Sequence, residues 1–288
     1  MAKCREQVMT INNVRIWTAI QGNGIPLVLC HGGPSGYDYL QPVADMVDDL
    51  CQVVRYDQRG SGRSETKRPY NVDTFVEDLE SLRRKLSFNE WIVCGHSWGA
   101  ALALAYTIKY MPRVEALIYI SGSGIDPNWK RQYHRNQEGL LTPEELEKLR
   151  QLEEKRSVSS INQQYCIKKE IQELIRKTDV YDPSKISSLP TFEEYPTNDE
   201  VNQTVGADWE NVINDKRYVE QISSIYIPSL LIHGKEDPRP LGSVRSLSQR
   251  LPNSQFKILG KVGHYPWIEK PKLTRKILRD FIRENSVR

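Results

Sequence analysis

The chain has 288 residues, 39% of them hydrophobic, with 40 basic and 37 acidic side chains and a net charge of +3. That length and apolar content allow one compact unit with a sizeable core and room for an inserted segment. The near balance of charge argues against nucleic acid or an anionic membrane as the partner and favours a small ligand. We expect a monomer or a small homo-oligomer.

The amino-terminal segment lacks the pattern of a secretion signal, because MAKCREQVMTINNVRIW has no basic stretch followed by a long apolar run. No apolar stretch approaches the roughly 20 residues that a membrane-spanning helix needs. Five cysteines are scattered singly along the chain, which favours reduced thiols over disulfides or a metal cluster. The sequence therefore predicts a cytoplasmic protein without a metal.

The pattern of apolar residues predicts an α/β fold. From about Glu6 to Gln21 apolar positions alternate around Asn12-Asn13, which is typical of a β-hairpin. Further strands are predicted at Pro26–Cys30, Gln52–Tyr56, Trp91–Cys94, Ala116–Ile120, Ser229–Ile232 and Gln255–Leu259. Helices are predicted at Tyr37–Leu50, Val72–Leu86, Trp98–Tyr110, Leu241–Leu251 and Pro271–Arg283. Strands that are apolar at successive positions indicate a sheet covered by helices on both faces. We therefore expect a doubly wound, mostly parallel sheet of about eight strands.

One long segment, residues 125–222, interrupts this alternation. It contains no pattern of a buried strand and is rich in polar helical sequence. Within it, Thr142 suits a helix N-cap and Pro143 suits the first helical position. The sequence thus predicts a core made of residues 1–124 and 223–288, with a helical insertion of residues 125–222 after the sixth strand.

The strongest catalytic motif is Gly95-His96-Ser97-Trp98-Gly99, which fits the pattern Gly-x-Ser-x-Gly. It lies between the apolar strand WIVC and the alanine-rich helix AALALAYTIKY. A serine in such a strand-to-helix turn is exposed at a helix amino terminus, and the flanking glycines let neighbouring backbone approach. Ser97 is therefore the predicted nucleophile.

A serine nucleophile needs a base and an acid that orients the base. His264 lies in a glycine-bearing loop after the last predicted strand, and Asp237 lies in the turn after the strand SLLIHG. Glu236 and Asp126 remain alternative acids. The other histidines are His31 and His96 in tight turns that hold backbone, His233 at a strand end and His134 in the insertion.

Acyl transfer also needs hydrogen-bond donors for the oxygen that becomes negative in the transition state. The residue after the nucleophile, Trp98, can supply its backbone N–H. The loop His31-Gly32-Gly33-Pro34 directly follows a predicted strand and can supply the N–H of Gly33. Gly33 and Trp98 are thus the predicted oxyanion hole.

Longer segments around these residues resemble the α/β-hydrolase superfamily, and within it the proline iminopeptidase branch. The segments are HGGPSG at 31–36, YDQRGSGRS at 56–64, GHSWGAALAL at 95–104, HGKED at 233–237 and GH at 263–264. The order Ser97, Asp237, His264 matches the order of the catalytic triad in this fold. The resemblance implies an enzyme that needs no cofactor, with residues 125–222 forming a cap over the site.

Two departures from the branch concern the substrate. Ser35 stands where the branch has the last glycine of His-Gly-Gly-Pro-Gly, and Pro238 follows Asp237 where several members carry an acid for the substrate's amino group. The countercharge would then come from acids of the cap, which are Glu193, Glu194, Asp199 and Glu200. Glu200, together with the aromatic Trp209, is the predicted substrate contact.

The sequence leaves several functions open. The leading expectation is cleavage of an ester or amide through an acyl-enzyme at Ser97, as in release of N-terminal proline or another residue from short peptides. The alternative is a carboxylesterase, a lactonase or a carbon–carbon bond hydrolase that uses the same residues. A non-catalytic ligand-binding protein on the same fold is a more remote alternative, since a fold alone does not establish chemistry.

Overall fold

The computed structural model describes residues 4–158, 161–191 and 194–285. The strands are β1 (Arg5–Ile11), β2 (Val14–Gln21), β3 (Ile25–Cys30), β4 (Cys51–Tyr56), β5 (Trp91–His96), β6 (Val114–Ile120), β7 (Ser229–Gly234) and β8 (Ser254–Leu259). The helices are α1 (Gln41–Ala44), α2 (Val72–Lys85), α3 (Trp98–Tyr110), α4 (Trp129–Glu138), α5 (Pro143–Val158), α6 (Ile161–Arg176), α7 (Asp199–Asn214), α8 (Lys216–Gln221), α9 (Leu241–Arg250), α10 (Pro266–Glu269) and α11 (Pro271–Asn285).

The strands form one eight-stranded sheet in the order β1-β2-β4-β3-β5-β6-β7-β8. β1 and β2 form the predicted hairpin, and the turn uses Asn12 and Asn13 at φ 43° and 59°. β2 pairs antiparallel with β4, whereas every pair from β4 to β8 is parallel. The predicted doubly wound, mostly parallel sheet is therefore confirmed.

Helices cover both faces of the sheet. Alternate residues of one strand belong to opposite cores: Val28 packs in the cluster that contains α2, α3 and α9, whereas Leu27 and Leu29 pack in the cluster that contains α1 and α11. Burial on both faces explains why the central strands show no apolar alternation in the sequence. The carboxyl ends of the parallel strands meet at one edge, where ligands bind in sheets of this kind.

One predicted helix, Tyr37–Leu50, is wrong in extent, because only Gln41–Ala44 is helical before a series of turns. Pro42 explains the late start, since a proline ring clashes with the carbonyl four residues earlier and cannot lie inside a helix. Asp38, in the non-helical part, forms a buried ion pair with Arg55. The sequence pattern gave no sign of that polar contact.

The insertion after β6 is helical, and its described residues between β6 and β7 contain no strand. Thr142 and Glu145 exchange side-chain to backbone hydrogen bonds of 3.3 and 2.9 Å at the start of α5, as a capping box does. α5 and α6 pack on each other through a small separate cluster of Leu141, Leu149, Leu152, Ile167 and Ile171. These two helices therefore have an apolar core of their own.

α7 instead packs against the main core. Its buried residues Val201, Val205, Trp209 and Ile213 recur every four positions on one helix face and join the cluster of α2 and α3. Asp208 accepts a hydrogen bond of 2.7 Å from the backbone N–H of Val72, at the start of α2. Residues of α7 are thereby held close to the carboxyl edge of the sheet. Among the described residues, no helix is both long and apolar enough to cross a membrane.

Candidate active site

Ser97 occupies the sharp turn between β5 and α3. Its backbone has φ 58° and ψ −122°, a conformation that side-chain-bearing residues rarely adopt and that costs about 1–3 kcal/mol. The N–H of Ser97 donates a 2.9 Å hydrogen bond to the carbonyl of Ile120 at the end of β6. The sheet therefore fixes the strained turn, and the Ser97 side chain remains partly exposed beside the amino terminus of α3.

The glycines of the motif allow this turn to pack against the neighbouring chain. A Cβ on Gly95 would lie 1.9 Å from the carbonyl oxygen of Gly99, and a Cβ on Gly99 would lie 2.0 Å from that of Cys30. Both separations are far below van der Waals contact. The spacing Gly-x-Ser-x-Gly is thus required by close approach of α3 to β5 and β3.

His264 and Asp237 meet at the same edge of the sheet, in the turns after β8 and β7. Nδ1 of His264 lies 2.7 Å from Oδ2 of Asp237, and both side chains are buried. Because a carboxylate only accepts, Nδ1 carries the proton and Nε2 is left as the acceptor. The His264 ring lies 4.5 Å, centroid to centroid, from the ring of His96, the residue before Ser97. The ring of His264 therefore lies next to the residue that precedes Ser97, with its Nδ1 held by Asp237.

Asp237 is held in its ionised form. Burial disfavours the charge, but His264 and Arg239 outweigh burial and lower the pKa of Asp237 well below its usual range. The backbone N–H of Arg239 donates to Oδ1 of Asp237 at 2.9 Å, and the Arg239 guanidinium forms an ion pair with Asp179. Asp179 in turn accepts a 2.7 Å hydrogen bond at its carbonyl from the N–H of His264. Sequence reasoning missed Arg239, although it lies two residues after the acid.

The alternative acids are engaged elsewhere. A carboxylate oxygen of Glu236 accepts a 3.0 Å hydrogen bond from the N–H of Val262. Asp126 accepts from the N–H of Asn128 at 2.8 Å and from the Gln132 side chain at 3.0 Å. The described contacts of His264 thus favour Asp237 over both alternatives.

A hydrogen-bonded chain joins the glycine loop to the histidine loop. The Tyr39 hydroxyl accepts from the N–H of Gly32 at 2.8 Å and donates to Nδ1 of His96 at 2.6 Å. Nε2 of His96 donates to the carbonyl of His264 at 2.9 Å. Burial lowers the pKa of His96 well below its usual range, so the ring stays neutral, as this pattern of one donor and one acceptor requires. The prediction that His96 holds backbone is confirmed.

The two predicted oxyanion donors, Gly33 and Trp98, line the same cavity as Ser97. Trp98 begins α3, so its N–H has no acceptor within the helix. The Trp98 side chain is fixed by a 2.9 Å hydrogen bond from its indole nitrogen to Gln58, and Gln58 in turn donates to the carbonyl of His31 at 2.7 Å.

Comparison with known proteins decides the family. A family model described as the alpha/beta hydrolase fold matches residues 25–271. The chain belongs to the α/β-hydrolase family. It is 31% identical to a proline iminopeptidase of Saccharolobus solfataricus over an alignment of 278 positions, which covers 91% of this chain and 86% of that protein. It is 28% identical to a proline iminopeptidase of Heyndrickxia coagulans, with 92% of each chain covered.

Solved structures agree on the fold. A proline iminopeptidase of Mycobacterium smegmatis superposes with a TM-score of 0.73 at 16% identity, covering 98% of this chain and 99% of that one. An esterase of Thermogutta terrifontis superposes with a TM-score of 0.69 at 20% identity, covering 98% and 99%. This α/β-hydrolase is thus an enzyme whose sequence is similar to proline iminopeptidases, and the resemblance read from its motifs is confirmed.

Ser97 lines a cavity of about 700 Å³ in this α/β-hydrolase, and we name it the Ser97 cavity. Core residues line one side and residues of α4 and α7 line the other. Its aromatic residues are Trp98, Trp129, Tyr133 and Trp209. The Trp98 and Trp209 rings meet edge to face with centroids 6.2 Å apart. The predicted contact Trp209 therefore lies in the cavity.

Glu200 does not lie where the prediction needs it. It is exposed in the first turn of α7 and forms a 2.5 Å ion pair with Arg68, and it is not among the residues that line the Ser97 cavity. The rise of an α-helix places it about 15 Å along α7 from Glu210, which does line the cavity. Of the other acids considered, Glu193 lies outside the described residues, and Asp199 forms an ion pair with Lys168.

Glu210 is the carboxylate of the Ser97 cavity, since no other aspartate or glutamate is among the described residues that line it. It forms an ion pair with Lys130 of α4, across the cavity lining. Burial lowers the pKa of Lys130, so its protonated form is less favoured in this cavity than in water. Sequence reasoning missed Glu210, although it directly follows the selected Trp209.

Proposed function

We propose that this α/β-hydrolase is a serine aminopeptidase of the proline iminopeptidase type, with Ser97, His264 and Asp237 as its catalytic triad. The observation that carries the chemistry is the buried 2.7 Å contact between His264 and Asp237, at the sheet edge where Ser97 occupies its strained turn. The substrate is the amide of an N-terminal residue in a short peptide. The similarity to proline iminopeptidases over nine-tenths of the chain supports that choice.

The reaction proceeds through an acyl-enzyme. Nε2 of His264 takes the proton of the Ser97 hydroxyl as its oxygen attacks the scissile carbonyl, and Asp237 stabilises the imidazolium that forms. The N–H groups of Gly33 and Trp98 donate to the oxyanion. His264 then gives the proton to the leaving amine as the C–N bond breaks, and a water activated by the same nitrogen hydrolyses the ester.

An aminopeptidase must also recognise a protonated amine, and Glu210 supplies the charge for it. A carboxylate in a partly enclosed cavity attracts an ammonium group more strongly than one in open solvent. Lys130 now neutralises Glu210, and a substrate ammonium would replace the Lys130 contact with one of the same charge. The aromatic rings of Trp98 and Trp209 offer apolar surface for a ring such as that of proline.

Replacing Glu210 tests this assignment. We expect Glu210→Gln to lower kcat/KM for prolyl and alanyl arylamides about tenfold or more, chiefly through KM, because a charged hydrogen bond contributes about 1.5–3 kcal/mol. The same variant should hydrolyse short-chain aryl esters, which have no amine, about as well as the wild type. Steady-state kinetics on this paired panel is the measurement.

The matched control is Glu200→Gln, which removes the same charge from the same helix outside the cavity. It should leave kcat/KM for every substrate within about twofold of the wild-type value. An equal loss in both variants would mean that the net charge of α7, and not a contact in the cavity, governs amine recognition.

One observation favours the second candidate, an ester or carbon–carbon bond hydrolase. Glu210 is already paired with Lys130, so its charge is neutralised in the absence of a substrate amine. A substrate without an amine would leave that pair intact. Turnover of esters alone, with no effect of Glu210→Gln, would establish this candidate and reject the aminopeptidase.

A further inference from the structure

A second cavity adjoins the site, and no step of the proposed reaction uses it. It has a volume of about 650 Å³ and is lined by residues of α6, the segment after it, the start of α7 and the glycine loop. We name it the Arg176 cavity. It shares Gly33 and Asn202 with the Ser97 cavity. The two cavities therefore meet at the proposed oxyanion donor, where the scissile carbonyl lies.

The loop that carries His264 also contributes to the Arg176 cavity. Tyr265, the residue next to His264, lines it, whereas Trp98 and Ala101 of α3 line the Ser97 cavity. The group that His264 protonates is the leaving amine, so the leaving part of the substrate must extend towards the histidine. The Ser97 cavity with Glu210 then holds the N-terminal residue, and the Arg176 cavity holds the rest of the peptide.

Three of the charged residues that line the Arg176 cavity form ion pairs. Asp179 forms an ion pair with Arg239, and Lys168 forms an ion pair with Asp199 and a 3.1 Å hydrogen bond with Thr197. Such neutralised pairs hold the wall together and offer little net attraction to a ligand.

Arg176 differs from these residues. It ends α6, and its Nη2 donates a 2.5 Å hydrogen bond to the carbonyl of Leu189. Its Nε is buried and has no hydrogen-bond partner, and within the described part of the chain no carboxylate forms an ion pair with it. A guanidinium presents its donors in a fork that fits a carboxylate. Arg176 thus brings to the cavity lining a positive charge that no described carboxylate pairs with.

We propose that Arg176 binds the carboxylate at the free C-terminus of the leaving peptide, so that the preferred substrates are short peptides with an unblocked end. The proposal rests on the proposed aminopeptidase function and adds the recognition of the leaving group. With an amine site in one cavity and a carboxylate site in the other, the enzyme binds both termini of a short peptide. A larger chain would carry its carboxylate beyond the reach of Arg176.

The test compares matched substrates that differ only in that carboxylate. Prolyl dipeptides and tripeptides are assayed as free acids and as C-terminal amides, with release of proline as the readout, and prolyl arylamide is assayed alongside. We expect the wild type to prefer at least one free acid over its amide about tenfold in kcat/KM. Arg176→Met should bring that ratio to about one, and Arg176→Lys should leave part of it.

Lys168→Met is the control, because it removes a charge from the same cavity wall where the charge is already paired. It should keep the preference for the free acid, and thermal unfolding of all variants confirms that they are folded. If the arylamide is cleaved but acids and amides react equally, the role of Arg176 is rejected while the aminopeptidase stands. If neither arylamide nor peptide is cleaved, the proposed function itself is rejected.

Discussion

Ser97→Ala is expected to lower kcat on every substrate by a factor on the order of 10⁶, the loss found when a triad nucleophile is removed. The loss should be equal for amides and esters, because both pass through the same acyl-serine. Substrate binding should survive, since the cavities and their charges are unchanged. Single-turnover assays together with binding of a non-hydrolysed peptide measure the two quantities separately.

Ser97→Gly separates the strain of the turn from its chemistry. Glycine normally destabilises a protein relative to alanine by about 0.5–1 kcal/mol, but at φ 58° it is the residue with no steric penalty. We therefore expect Ser97→Gly to unfold at a higher temperature than Ser97→Ala, with both inactive. The reverse order in calorimetry would show that the turn stores no strain.

Asp237→Asn is expected to lower kcat about 10⁴-fold in a protein that still folds, as in triads whose acid is replaced by its amide. The amide cannot stabilise the imidazolium, and by donating to Nδ1 it can turn the proton of His264 onto the wrong nitrogen. The controls are Glu236→Gln and Asp126→Asn, the other acids that the sequence allowed. The kcat of both variants should stay within a few-fold of the wild-type value. A large loss of kcat in either variant would assign the acid of the triad to that residue and not to Asp237.

The lowered pKa of Asp237 also gives a dependence of stability on pH. Because its folded-state pKa lies below the unfolded value of about 3.9, the ionised carboxylate stabilises the fold above that pH. The contribution disappears as the pH falls towards the folded-state value. The difference in unfolding free energy between the wild type and Asp237→Asn should therefore shrink from neutral pH to acid, as measured by denaturant titration.

Much of the fold follows from the sequence because its signals are local. The strand runs around Val93, Ile118 and Leu231 are continuously apolar, and α3 begins at Trp98 as the motif predicts. The helix proposed from Tyr37 was too long because a single proline and a buried ion pair decide its start. Long-range polar contacts of that kind leave no periodic trace in the sequence.

The site shows the same division between local and distant signals. Ser97, Asp237 and His264 each follow a strand that reads clearly in the sequence, so the sheet edge brings them together. Glu210 was missed because the prediction looked for a cluster of acids in the sequence. The face of α7 on which a carboxylate lies decides whether it lines the cavity. Arg176 was missed because its proposed role depends on the lack of an ion-pairing carboxylate among its described neighbours. Only the three-dimensional arrangement shows which residues those neighbours are.

The central claim is that Ser97 is an activated nucleophile. The most direct measurement is treatment of the wild type with a serine-reactive organophosphonate, followed by peptide mass spectrometry, with Ser97→Ala and Asp237→Asn treated in parallel. We predict one stoichiometric adduct on Ser97 in the wild type, none at any site in Ser97→Ala, and a strongly slowed reaction in Asp237→Asn. An unlabelled wild-type protein, or an adduct on another residue, would contradict the account.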